Sequence, residues 1–256
     1  MNIAIVTGAS SGLGREFVRQ IAQKADVGEI WVIARREGRL LELREECRVP
    51  VRVLPMDLVK QESIQKLEDL LAGECPVVSI LVNAAGFGKV GSYRQVTRRE
   101  SDAMIDLNCR AAVDVTLVCL PYMERKSRIL EICSTSAFQP FQYLNVYAAS
   151  KAFLYRYSRA LWVELMGSGI TVTAVCPYWV KDTEFIPIAE ETDTKDAIRH
   201  FPLASKAANV VARAMSDSAL GLPVSTPGPV CLIHRVAAKL IPSQIMMGVW
   251  AVLRRA

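Results

Sequence analysis

Short runs of consecutive apolar residues punctuate the chain at 3–6, 30–34, 51–54, 79–82, 128–132 and 170–175. Apolar side chains on successive positions, rather than on alternate ones, mark strands buried on both faces. Stretches with helical periodicity fill the gaps, at about 12–24, 38–47, 61–72, 99–123, 147–166 and 205–217. Strands buried on both faces and alternating with helices predict an α/β fold with a doubly wound parallel sheet, a Rossmann fold. No linker, repeat or low-complexity segment interrupts the alternation. The pattern predicts one domain over 1–227, followed by a helical C-terminal extension over 228–256.

Composition supports a chain with a large core. Of 256 residues, 51% are hydrophobic and 22% charged, which excludes a disordered protein. With only two histidines, no multi-histidine metal site is expected. The seven cysteines form no C-x-x-C pair and read as reduced thiols. The first strand leaves no room for a signal peptide, and no stretch reaches about 18 apolar residues, so a cytoplasmic protein is expected. The net charge of +5 is too small to argue for nucleic acid. Its placement is uneven, because no acidic residue follows Asp217, while Arg235, Lys239, Arg254 and Arg255 do.

The first turn carries the first candidate chemistry. Thr7-Gly8-Ala9-Ser10-Ser11-Gly12-Leu13-Gly14 joins the first strand to the first helix. Glycines there let backbone approach a pyrophosphate, and the helix N-terminus stabilises its charge. The same residues match the G-x-S-x-G elbow of hydrolases, but such an elbow follows several strands and Ser10 follows one. The second strand ends at Ala34 and runs into Arg35-Arg36-Glu37. An NAD site would place an acid there. An arginine fork suits the 2′-phosphate of NADP instead, with Arg35 first and Arg36 beside it.

Tyr147 and Lys151 stand at i and i+4 on one helix face. A nearby ammonium lowers a phenol's pKa toward the range of a general acid/base. A Y-x-x-x-K match is common by chance, and its surroundings decide its meaning. Asp57-Leu58 follows the third strand, and Asn83-Ala84-Ala85-Gly86 follows the fourth. Asn108 lies in the next helix, and Ser134 ends the fifth strand, 13 residues before Tyr147. In this order and spacing the chain resembles the short-chain dehydrogenase/reductase family from Asn2 to about Pro227. The resemblance implies that Tyr147 exchanges a proton with the reacting oxygen. It implies that Lys151 holds the nicotinamide ribose and lowers the tyrosine pKa, that Ser134 hydrogen-bonds the oxygen, and that Asn108 anchors a water of the proton relay. It also implies cofactor contacts from the glycine turn, Asp57, Leu58 and residues 83–86.

One segment departs from the family pattern P-G-x-V-x-T. The chain reads Pro177-Tyr178-Trp179-Val180-Lys181-Asp182-Thr183, with Tyr178 in place of the glycine and the threonine one residue late. Pro177, Val180 and Thr183 are expected near nicotinamide, and the contacts of Asp182 and Thr183 are open. Similar aromatic replacements occur in the hydroxysteroid and 3-oxoacyl-CoA reductase branches. The family's substrate lid falls at 183–202, apolar at Phe185-Ile186-Pro187-Ile188 and then acidic. With Phe87, Phe141 and Tyr178, Phe185 predicts a bulky apolar substrate such as a steroid, a bile acid or a 3-oxoacyl chain. Phe138 and Tyr143 are expected to flank the same site.

The resemblance further implies a homodimer or homotetramer built on the helices around 108–123 and 147–166. The tail reads three ways: packed on the domain or a partner subunit, covering the pocket, or lying on an anionic membrane surface. The expected activity is interconversion of a secondary alcohol and a ketone with NADP(H). The alternative is a catalytically idle NADP-binding sensor.

Overall fold

The computed structural model describes residues 1–193, 198 and 203–254. The remainder of the expected lid, and Arg255, lie outside the described residues. Seven parallel strands form one sheet in the order β3-β2-β1-β4-β5-β6-β7. They are β1 (Asn2–Thr7), β2 (Glu29–Ala34), β3 (Val51–Pro55), β4 (Val77–Asn83), β5 (Arg128–Ile132), β6 (Thr171–Val175) and β7 (Val224–Ser225). The two-residue β7 is too short to leave a periodic signal and was not anticipated.

Strand alternation builds the two halves of the core. Ile3 and Ile5 of β1, with Trp31 and Ile33 of β2, face one side. Ala4 and Val6, with Ile30 and Val32, face the other. The first side is covered by α3 (Gln61–Glu74), α5 (Ala111–Cys119) and α6 (Asn145–Glu164). The second is covered by α1 (Gly12–Lys24), α2 (Glu37–Glu46) and α8 (Ala207–Ala219). This three-layer arrangement is the doubly wound fold expected from the sequence.

The helix expected over 99–123 is not continuous. A capping box opens α4 (Arg98–Ile105): Thr97 accepts from the Glu100 backbone N–H, and Glu100 reaches back to the Thr97 N–H. A π-helical turn follows at Asp106–Arg110, closed by an i→i+5 bond from the Ala111 N–H to the Asp106 carbonyl, before α5 begins. The lid starts with α7 (Phe185–Glu190), and Pro187 is tolerated there because first-turn N–H groups have no helical acceptor. In the tail, α9 (Pro229–Leu240) and α10 (Ser243–Leu253) form as expected.

A polar cluster sits inside the sheet. Glu131 of β5 is fully buried and stands in register with Asn83 of β4. Its Oε1 accepts from Asn83 Nδ2 at 2.9 Å and lies 2.8 Å from Thr116 Oγ1 of α5. Desolvation raises its pKa from 4.5 to about 7 against the pull of those hydrogen bonds. The folded chain therefore keeps a proton through the interval in which an unfolded carboxyl has lost it, and stability drains as pH rises through that interval. Glu131→Gln, which mimics the protonated group, should gain thermal stability over wild type between pH 5 and pH 8. Melting curves with the same pH response in both proteins would contradict this.

Candidate active site

The cleft opens at the C-terminal ends of the strands, where the chain order reverses between β1 and β4. Its volume is about 600 Å³.

The glycine turn forms one wall. Gly8 has φ +66°, and a Cβ there would come within 2.7 Å of Ala84 O and Ala85 N. A Cβ on Gly14 would stand 2.3 Å from Gly8 O. The turn is thus pressed against the loop after β4, and Ala85 N–H donates to Thr7 Oγ1 at 3.1 Å. Ser11 opens α1 without a side-chain capping bond, and Ser11 to Gly14 of that first turn line the cleft. Gly12 lies against the Thr183 side chain.

Every expected cofactor position except one lines this cleft: Gly8, Ser10–Gly14, Arg35, Arg36, Asp57, Leu58, Ala84–Gly86, Tyr147, Lys151, Pro177, Val180 and Thr183. The exception is Asn83. Its side chain turns into the core, where Nδ2 donates to Ala112 O, Thr116 Oγ1 and Glu131. The buried Glu131 carboxyl holds the amide on that side of the sheet, so Asn83 supports the cleft from behind. Asp182 is likewise outside, because Oδ1 accepts the Ala207 N–H and caps α8.

The basic end of β2 is asymmetric. Arg35 is exposed and makes no ion pair among the described residues. Arg36 donates to Ser10 Oγ through Nε at 3.3 Å and Nη2 at 3.2 Å.

At the cleft's centre Tyr147 is 6% exposed, with the Ser134 side chain beside its phenol. Burial pushes the phenol's pKa up strongly, and the Ser134 hydroxyl pulls it down. Lys151 Nζ sits 5.9 Å from the Tyr147 ring centroid and donates to Ile132 O at 2.7 Å. Burial pushes the ammonium's pKa down. The ammonium and the phenol thus share one buried face of α6, as the i, i+4 spacing places them.

Asn108 sits in the π-turn and is fully buried. Its amide pairs with the Phe87 backbone in both directions, Oδ1 accepting from N–H at 3.0 Å and Nδ2 donating to C=O at 2.9 Å. Nδ2 also donates to Ser150 Oγ at 3.0 Å. Both N–H donors are used, and the side chain does not line the cleft. It positions the loop that carries Gly86, where a Cβ would meet Asn108 Oδ1 at 2.8 Å and Lys151 Nζ at 3.3 Å.

The other half of the cleft is aromatic. Phe87, Phe141, Tyr178 and Phe185 line it as expected. Phe185 lies 5.4 Å from the Tyr147 ring. Phe138 and Tyr143 do not line it: Phe138 packs on Tyr155 and His234, and Tyr143 lies under Arg254. Trp250 of α10 takes their place, edge-on to Phe141 at 4.9 Å and donating to Gln142 O at 3.2 Å. Covering the pocket was one of the three readings of the tail, and Trp250 belongs to the apolar residues at helical spacing in its second helix. The lid's acidic part turns outward, with Glu191 paired to Lys89. Among the described residues no group of three or more metal-ligating side chains converges.

A short chain dehydrogenase family model matches residues 2–193. A very-long-chain 3-oxoacyl-CoA reductase from Pyricularia oryzae is 35% identical over 188 residues, covering 69% of this chain and 56% of that protein. A short-chain dehydrogenase from Sphingobium yanoikuyae, solved in complex with NADPH, superposes with a TM-score of 0.78 at 26% identity, covering 100% of this chain and 98% of the other. A bulky-bulky ketone specific alcohol dehydrogenase from Comamonas testosteroni superposes with a TM-score of 0.74 at 25% identity, covering 100% and 96%. The chain belongs to the short-chain dehydrogenase family.

Proposed function

We propose that the protein is an NADP(H)-dependent oxidoreductase that interconverts a bulky apolar ketone and its secondary alcohol. The observation that carries the reading is the position of the Tyr147 hydroxyl. It is buried beside Ser134 and stands where the glycine-lined half of the cleft meets the aromatic half.

The residues fit a dinucleotide. The glycine turn leaves no room for side chains beneath a pyrophosphate, and the arginines after β2 suit a 2′-phosphate. Neighbours and relatives that bind NADPH or use NADP support the same choice. When bound, the nicotinamide supplies or accepts the hydride. Ser134 donates to the carbonyl oxygen and fixes its position. Tyr147, kept protonated by burial, gives that oxygen its proton in reduction. Lys151, anchored on Ile132 O at the back of the cleft, places a charge beside the ribose. Asn108 holds the loop at Gly86 in place, and the aromatic side chains with Trp250 exclude water from the apolar substrate.

Two copies pairing through α5 and α6 would cover Leu117, Phe153 and Val163, which are exposed in the single chain. Seven unpaired cysteines suit a reducing, cytoplasmic setting. No helix among the described residues is long and apolar enough to cross a membrane. Two exposed apolar stripes, Leu232–Val236–Leu240 on α9 and Ile245–Val249–Val252 on α10, support peripheral contact with an anionic membrane.

Tyr147→Phe should leave NADPH affinity nearly unchanged and lower turnover by about 10²-fold or more. A variant with wild-type turnover would remove the acid/base role. Arg35→Asp should move the preference for NADPH over NADH by about tenfold or more toward NADH. An unchanged ratio, measured by equilibrium binding of both cofactors, would remove Arg35 from the 2′-phosphate site. The double variant Ile245→Asp/Val252→Asp should lose cosedimentation with anionic liposomes. Binding equal to that of wild type, or no binding by wild type, would remove the membrane contact.

A further inference from the structure

Glu184 is the residue before α7, and its side chain crosses the mouth of the cleft. Oε2 lies 2.8 Å from Arg36 Nη2, and Oε1 lies 3.0 Å from Arg39 Nη1. Arg36 is at the same time bound to Ser10 Oγ. One carboxylate thus collects guanidinium donors from the end of β2 and the first turn of α2, and Arg36 ties it to the glycine turn. The partners Arg36 and Glu184 are 148 positions apart, so nothing local to either segment creates the contact.

This donor set is built for an oxyanion. It has two guanidinium forks and the Ser10 hydroxyl at the edge of a glycine turn, which is what a phosphate monoester requires. It shares Arg36 with the pair of arginines that the reading above gives to the 2′-phosphate of NADP(H), and extends that pair by Arg39. A carboxylate and a phosphate cannot share the set, because both are acceptors of the same N–H groups and both are negative. We propose that Glu184 is the resident anion of the 2′-phosphate cradle, and that NADP(H) binds by displacing it. The inference rests on the NADP(H) reading.

Two consequences follow from the position of Glu184 in the chain. First, it sets the strength of cofactor discrimination, since part of the attraction of Arg36 and Arg39 for a 2′-phosphate is spent on the carboxylate. Second, it links the phosphate to the substrate lid. Glu184 is joined directly to Phe185, whose ring packs 5.4 Å from Tyr147, and Ile188 one turn on lines the same cleft. Release of Glu184 frees the start of α7. A cofactor without the 2′-phosphate leaves the ion pairs in place.

The test uses the full chain and two probes that differ only by that phosphate, adenosine 2′,5′-bisphosphate and 5′-AMP, with binding followed by calorimetry. Glu184→Gln keeps the shape and removes the charge, and its exposed position keeps folding out of question. The variant should bind the bisphosphate about threefold to tenfold more tightly than wild type, the range expected from losing one or two exposed ion pairs. Its 5′-AMP affinity should stay within about twofold of wild type. Hydrogen exchange over 185–190 should accelerate in wild type with the bisphosphate and not with 5′-AMP. Unchanged or weaker bisphosphate binding by Glu184→Gln, in a wild type that prefers the bisphosphate, would overturn the displacement and leave the NADP(H) reading standing. Failure of both proteins to prefer the bisphosphate would overturn the cradle itself.

Discussion

The amide of Asn108 joins the elements that meet at the centre of the cleft. It completes the hydrogen bonding of Phe87 on the loop after β4 and donates to Ser150 on α6, and Ser150 in turn donates to Tyr147 O. Asn108 and Ser150 are buried and Phe87 is half-buried, so removing the amide would take a partner from both the Phe87 N–H and its C=O. The π-turn is what turns Asn108 toward that loop, since an added residue per turn rotates the side chains that follow. The position of the Tyr147–Lys151 face relative to the loop at Gly86 therefore depends on one irregular helical turn.

Around that point the cleft divides by chemistry. The half over β1 and β2 is built from backbone, small side chains and arginines, and it suits a charged, extended ligand. The half beyond Tyr147 is built from aromatic rings contributed by four separate segments, including Trp250 near the chain's end. Burial at the boundary raises the phenol's pKa and lowers the ammonium's. The phenol and the Ser134 side chain meet at the seam between the two halves.

The layers of the fold were legible because each depends on local period. Ile3, Ala4, Ile5 and Val6 alternate between the two faces of the sheet, and the run of apolar residues reports that directly. The candidate catalytic positions Asn108, Ser134, Tyr147 and Lys151 were legible as an order and spacing along the chain, and the fold brings them to one end of the sheet. What escaped is non-local. The inward turn of Asn83 follows from a carboxyl on the neighbouring strand, 48 positions away. The use of the Asn108 amide depends on a π-turn that no periodicity announces. Trp250 reaches Gln142 across 108 positions, and Glu184 reaches Arg36 across 148. In each case the partner is chosen by three-dimensional packing, and neither residue carries the information alone.

The central claim is the proposal that Tyr147 exchanges a proton with a bulky apolar ketone held among its aromatic surroundings. The direct measurement is NADPH oxidation against ketones graded by the size of both substituents, from dimethyl to diaryl, with oxo-steroids and 3-oxoacyl thioesters alongside. The account predicts turnover that rises with apolar bulk and is negligible for the smallest ketones. Turnover confined to small or polar carbonyls, or none across the series while NADPH still binds, would contradict it.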